Sequence, residues 1–203
     1  GGVDYMSYIV PGLIMMSVIT NAYGNVSSSF FGNKFQRSVE EMMVAPVYPI
    51  TILAGYVAGG VARGVAVGII VTLLSLYFTD LHVHNFGVMA AVVFLSAILF
   101  SIGGFINAVF ATKFDDIAIV PTFIITPLTY LGGVFYSISL LPDFWQGVSQ
   151  LNPILYMVNT FRYGVLGVSD IHIGFAFAML FVFIFILGGY SIWLLRRGTG
   201  MRQ

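Results

Sequence analysis

The sequence predicts an all-α, polytopic transmembrane domain, with five membrane-spanning helices of an expected six and an external re-entrant helical hairpin before the last span. Three observations carry this. Hydrophobic residues fill 59% of the 203 positions and charged residues only 8%. Mean hydropathy is +0.97. The apolar residues also gather into five stretches, each long enough for the roughly 20-residue helix that crosses a bilayer. A water-facing surface needs about 25% charged residues, so a soluble domain is excluded.

The five stretches are Tyr5–Phe31, Pro49–Phe78, Phe86–Phe110, Ile117–Phe135 and His172–Leu195. Between the fourth and fifth lies 136–171, apolar but broken by Pro142, Gly147, Pro153, Gly164 and Gly167. That is too interrupted for a span and too apolar for a solvated loop, so a re-entrant hairpin is expected. Basic residues set the orientation. Lys34 and Arg37 follow the first span, Lys113 the third, and Arg196, Arg197 and Arg202 the fifth. The loop 79–85 has no Lys or Arg, and the 136–171 segment has one, Arg162. The positive-inside rule makes the first set cytoplasmic and the second external. It also puts Gly1 outside, and the chain opens without Met. An upstream helix entering from the cytoplasm is therefore expected, bringing the spans to six.

Several functions find no support. Eight basic and eight acidic residues cancel, leaving no basic patch for nucleic acid. No G-x-x-x-x-G-K-[ST] loop is present, so no ATPase activity is expected of this chain. His82, His84 and His172 sit at span ends without a metal-binding pattern, and Gly167-Val168-Ser169-Asp170 lacks the second glycine of a nucleophile elbow. No metal site and no catalytic residue are expected. The span interiors hold no Asp or Glu, which argues against a proton relay. No internal repeat is visible, which weakens a secondary-transporter reading.

Three features invite a functional reading. First, Phe35, Val39, Met42 and Met43 fall on one face of a helix, with Lys34, Gln36, Arg37, Glu40 and Glu41 around the rest and Pro46 and Pro49 ending it. Such a helix lies along the membrane surface, as a connector or as a dock for a cytoplasmic partner. Spacing does not separate the two. Second, Gly60, Gly64 and Gly68 make a smooth stripe for close helix approach, within the domain or at a dimer seam; packing within the domain is the simpler expectation. Third, Arg63 lies about 21 Å along the second span, where a guanidinium costs at least about 2.5 kcal/mol. It needs protein, water or a phosphate beside it. Asn21, Asn25, Asn107 or backbone carbonyls are its neutral partners if it is a clamp, and an anionic substrate group is its partner if it is not. The polar run Thr20, Asn21, Asn25 and Ser27–Ser29 makes the first span a wall of an aqueous path, or a patch of inter-helix hydrogen bonding.

Pro121, Pro127, Gly132 and Gly133 lead to Leu141 and Pro142. Asn152, Pro153, Ile154, Leu155 and Tyr156 follow, and then Arg162. This pattern resembles the signature of ABC type-2 exporter permeases. The stretch Gln36, Arg37, Glu40, Glu41 and Pro46 resembles their coupling-helix region. The run from Ile9 to Ser17 and the turn Phe114-Asp115-Asp116 are similar to bacterial inner-membrane members. The resemblance covers essentially the whole chain. It implies a single six-helix permease domain over 1–203, lacking its N-terminal interface helix and first span. It further implies a cytoplasmic coupling helix at 33–45 and an external re-entrant segment at 136–171. The implied partners are a second copy, membrane lipid and two cytoplasmic ATPase subunits that bind the ATP and Mg; this chain itself needs no cofactor. The implied function is outward transport of a lipid-linked, glycan or drug-like molecule, and no motif selects among these. An ATP-independent channel or secondary transporter is the alternative.

Overall fold

A computed structural model describes residues 4–201; Arg202, counted above among the basic residues, lies outside them. Among the described residues every regular element is helical. They are α1 (Tyr5–Phe35), α2 (Ser38–Val44), α3 (Pro49–Ser75), α4 (Phe86–Phe110), α5 (Phe114–Val120), α6 (Thr126–Leu131), α7 (Asp143–Ser149), α8 (Pro153–Leu166) and α9 (Ile173–Arg197). A π-helical turn, Pro121–Ile125, joins α5 to α6, and a 3-10 turn, Ile138–Leu140, precedes α7. Five of these stretches are long and apolar enough to span a bilayer: α1, α3, α4, α9 and the composite Phe114–Leu131.

α1 runs one turn further than the hydropathy pattern predicts. Phe31 and Phe35 both pack on Phe114, with ring centroids 4.8 and 5.5 Å away. Lys34 is buried, and its Nζ donates to the carbonyls of Val109 (2.7 Å) and Ala111 (2.8 Å). A cation thus meets the negative C-terminal end of α4. The chain then breaks at Arg37, whose φ of 63° lies in the left-handed region. The single amphipathic helix expected from Phe35 onward is therefore divided. Phe35 closes α1, and α2 starts at Ser38 with a new axis. Periodicity alone assumed a continuous helix and could not register that turn.

The fourth span starts at Phe114 rather than Ile117 and ends at Leu131 rather than Phe135. Asp116 extends its N-terminus by accepting from the N–H groups of Thr112 (2.8 Å) and Lys113 (2.9 Å). Pro127 has no N–H and its ring would crowd the carbonyl four residues back. The π turn just before it widens the backbone, and the Thr126 N–H and Oγ1 both donate to the Pro121 carbonyl.

α1 sits at the centre, packed against α3, α4 and α8, while α4 also meets α8 and α9. The fourth span is peripheral and mostly open. The Gly60, Gly64 and Gly68 stripe faces α1. A Cβ at Gly60 would stand 2.6 Å from Val26 Cγ2 on α1 (and would overlap the Ser101 hydroxyl on α4), and one at Gly68 would stand 2.7 Å from Val18 Cγ2 on α1. These glycines let α1 and α3 approach inside one chain. One core cluster joins Ile14, Met15, Ile154, Met157, Phe161 and Leu180. A second joins Phe30, Phe31, Val39, Leu53, Phe105, Leu194 and Leu195 around the end that carries Lys34, Arg37, Lys113, Arg196 and Arg197.

Segment 136–171 folds as a helical pair, α7 and α8. α8 is 14 residues, about 21 Å, too short to span. Nearly all of it is buried, against α1, α4 and α9. Its last carbonyls, on Gly164 and Val165, accept from the N–H groups of Asn85 (2.8 Å) and His84 (3.3 Å).

Candidate transport path and coupling surface

The core-facing side of α1 is apolar, and the opposite side is polar along most of its length. Ser17, Thr20, Asn21, Gly24, Asn25, Ser28, Ser29, Gly32 and Asn33 are all open or half-open. They recur at spacings of one, three and four, which makes one continuous stripe about 24 Å tall. Such a stripe is unsuited to hydrocarbon, so water or another protein surface must face it. Its side chains are partly satisfied within the helix. Ser17 Oγ donates to the Leu13 carbonyl and Asn21 Nδ2 to that of Ser17, each at 3.0 Å. Ser28 and Ser29 donate to Gly24 and Asn25, each at 2.6 Å. This lets the helix insert while its oxygen lone pairs face outward.

The expected polar residues separate into two groups. Ser27 turns into the core, at 3% exposure. Asn107 stands away from the stripe on α4, where its Nδ2 donates to the Ile117 carbonyl (3.3 Å) and ties α4 to the fourth span. Asn21 and Asn25 lie on the stripe. Arg63 is exposed on the flank of α3 beside it. A Cβ built on Gly59 would stand 3.4 Å from Asn25 Nδ2, and one on Gly64 would stand 3.0 Å from Ala22 Cβ. Arg63 follows Gly59 by one helical turn, and the two helices run antiparallel, so it lies at the level of Asn21.

At the basic end, α2 is anchored by Val39, which is 2% exposed in the core with Leu53. Phe35 is exposed beside Phe114, and Gln36 and Arg37 form the turn, their N–H groups donating to Gly32 and Lys34. Glu40, Glu41 and Pro46 are all open, as are Val44 (86% exposed) and Tyr48 (79% exposed). Glu40, Met43, Arg196 and Arg197 line a cleft of about 660 Å³ between α2 and the end of α9. From α2 a contact chain leads to the stripe. Met42 Sδ lies 4.0 Å from Tyr56 Oη on α3, which in turn accepts from Asn33 Nδ2 at 2.6 Å.

This arrangement has known counterparts. Residues 1–166 match the model of the ABC-2 type transporter family. The chain belongs to the ABC-2 type transporter family. All of it aligns with the inner membrane transport permease YadH of Escherichia coli K12, 59% identical, and covers 79% of that protein. More distant relatives are the nodulation protein J of Rhizobium leguminosarum bv. viciae and that of Neorhizobium galegae. They are 23% and 26% identical, and each alignment covers 97% of this chain and 76% of the relative. The chain is thus a multi-pass inner-membrane transport permease.

From Gly132 onward, the residues that suggested the ABC-2 signature converge at the end of the bundle opposite Lys34, while Pro121 and Pro127 lie within the fourth span. Gly133, at φ 73°, turns the chain out of α6, and Gly132 packs directly on Ile154. Pro142 caps α7, and Pro153 opens α8 behind Asn152. Asn152 Oδ1 accepts from the Ile154 N–H (3.0 Å), and its Nδ2 donates to the Leu128 carbonyl. Tyr156 Oη donates to the Gln150 carbonyl. Arg162, the one basic residue of the segment, is 1% exposed. Its Nε donates to the Tyr8 carbonyl (3.2 Å), and its Nη2 donates to those of Gly133 (2.8 Å) and Val134 (3.3 Å). The guanidinium also lies over the Tyr8 ring, 3.8 Å from its centroid. One side chain therefore pins α8 to α1 and to the exit of α6.

Sequence reasoning missed the clamping role of Lys34 and the close α1–α4 approach at Gly104, where a Cβ would overlap the Tyr23 carbonyl. The G-G pair at 103–104 within an apolar span was the available signal.

Proposed function

We propose that this permease is the membrane subunit of an ATP-driven exporter, with the basic end of the bundle cytoplasmic and a separate ATP-binding-cassette subunit docked there. The observation that carries the reading is the connection between two surfaces the fold leaves open. The α1 stripe supplies a polar route along the apolar bundle, and α2 with its flanking turns presents Arg37, Glu40, Glu41, Val44 and Pro46 for a partner. Met42, Tyr56 and Asn33 link the two. Displacement of α2 by a closing ATPase pair would move Tyr56 and the foot of α1 together. That biases a two-state equilibrium between inward-open and outward-open forms. A second copy would supply the facing wall, as symmetric pairing of a half-path requires. The chemistry of hydrolysis, with its ATP and Mg, belongs to the partner.

Affinity capture of the tagged full-length permease from native membranes checks this. The expected result is an ATP-binding-cassette ATPase at a ratio near one to one, with hydrolysis faster in the complex than in the free ATPase. Capture of an intact permease dimer with no ATPase, at several detergent strengths, would refute the ATP-driven reading and favour a channel or secondary transporter.

A further inference from the structure

We propose that Arg63 is the charge-selecting element of the path, and that the transported molecule carries an anionic group such as a phosphate, sulfate or carboxylate. This rests on the export-path reading above. Arg63 is exposed and lies halfway along α3, at the level of Asn21 on the polar stripe. All eight acids of the chain are in α2, in connections, or at or before the first turn of a helix. None of them reaches that depth to neutralise it. The stripe around it offers Thr20, Asn21, Asn25 and Ser28, which are hydrogen-bonding but uncharged. A passage with hydroxyls, amides and a lone guanidinium is complementary to a hydrogen-bonding group with negative charge. The clamp reading of Arg63 fits less well. Arg162 shows what a structural arginine looks like in this fold, buried and donating to three carbonyls, whereas Arg63 is exposed.

The chain has no cysteine, which makes the test direct. Asn21→Cys is introduced into the full-length permease, with any partner ATPase co-expressed, in membranes opened to both sides. The thiol is then treated with an anionic sulfonate or a cationic trimethylammonium methanethiosulfonate. Both react with the same thiolate, so the ratio of their rates cancels its abundance and reads the local field. The expected ratio favours the anionic reagent, and adding Arg63→Gln shifts it about tenfold toward the cationic one. Arg63→Lys should retain most of the preference. Leu73→Cys, on the apolar flank, should react with neither reagent. Ser28→Cys serves as a second reporter if the first variant folds poorly. Reaction with both reagents and no response to Arg63→Gln overturns the charge selection but leaves the path intact. No reaction of either stripe position with charged reagents, while N-ethylmaleimide labels it, means that protein covers the stripe and overturns the path itself.

Discussion

Arg162→Ala is expected to lower the stability of the folded permease by about 3–5 kcal/mol, because two or more buried hydrogen bonds from a charged donor are lost, each worth roughly 1.5–3 kcal/mol. The change strips donors from the carbonyls of Tyr8, Gly133 and Val134 and leaves a cavity beneath the Tyr8 ring. A buried carbonyl left without a donor costs roughly 1–3 kcal/mol, and hydrocarbon offers no replacement. Arg162→Lys should recover only part of the loss, because an ammonium cannot span acceptors on α1 and at the exit of α6 as the planar fork does. The readouts are the yield of monodisperse protein in detergent and its thermal unfolding midpoint. α2 lies at the other end of the bundle, so whatever fraction folds should bind its ATPase normally. A wild-type midpoint for Arg162→Ala would mean that the three bonds are not what holds α8 in place.

The second large effect is expected at α2. Reversing both exposed acids, Glu40→Lys with Glu41→Lys, should weaken ATPase binding by about 2 kcal/mol, or roughly thirtyfold. Each reversal removes an attraction and adds a repulsion at the docking surface. Neither acid packs in the core: Val39 and Leu53 hold α2 in place, so the fold should survive. Added positive charge at this end also agrees with the orientation that the basic residues already dictate. Co-purification of the ATPase, followed by its hydrolysis rate in reconstituted membranes, measures the outcome. Unchanged binding together with unchanged hydrolysis would make α2 a connector along the membrane surface.

The spans were the most legible part of the sequence, because insertion into hydrocarbon imposes length and composition directly. What packing decides was less legible. Phe35 read as the start of the amphipathic helix, yet its pairing with Phe114 and the burial of Lys34 prolong α1 instead. The left-handed turn at Arg37 carries no sequence signal such as glycine. The polar run of α1 was visible, but only the positions of α3 and α4 separate open Asn21, Asn25 and Ser28 from buried Ser27 and from Asn107 on its own helix. Arg162 read as a signature residue and as the sole basic residue of its segment. Its role depends on carbonyls some 30 and 154 positions away. Local pattern carries no information about contacts of that range.

Nucleotide at the basic end is expected to change which side of the membrane the α1 stripe opens to. Ser28→Cys in inside-out vesicles, treated with the cationic methanethiosulfonate before and after ATP with orthovanadate, measures this most directly. Ready labelling is expected without nucleotide, and at least severalfold slower labelling once the ATPase pair is trapped closed. The same rate in both conditions, with the ATPase present and vanadate-inhibited, would contradict it.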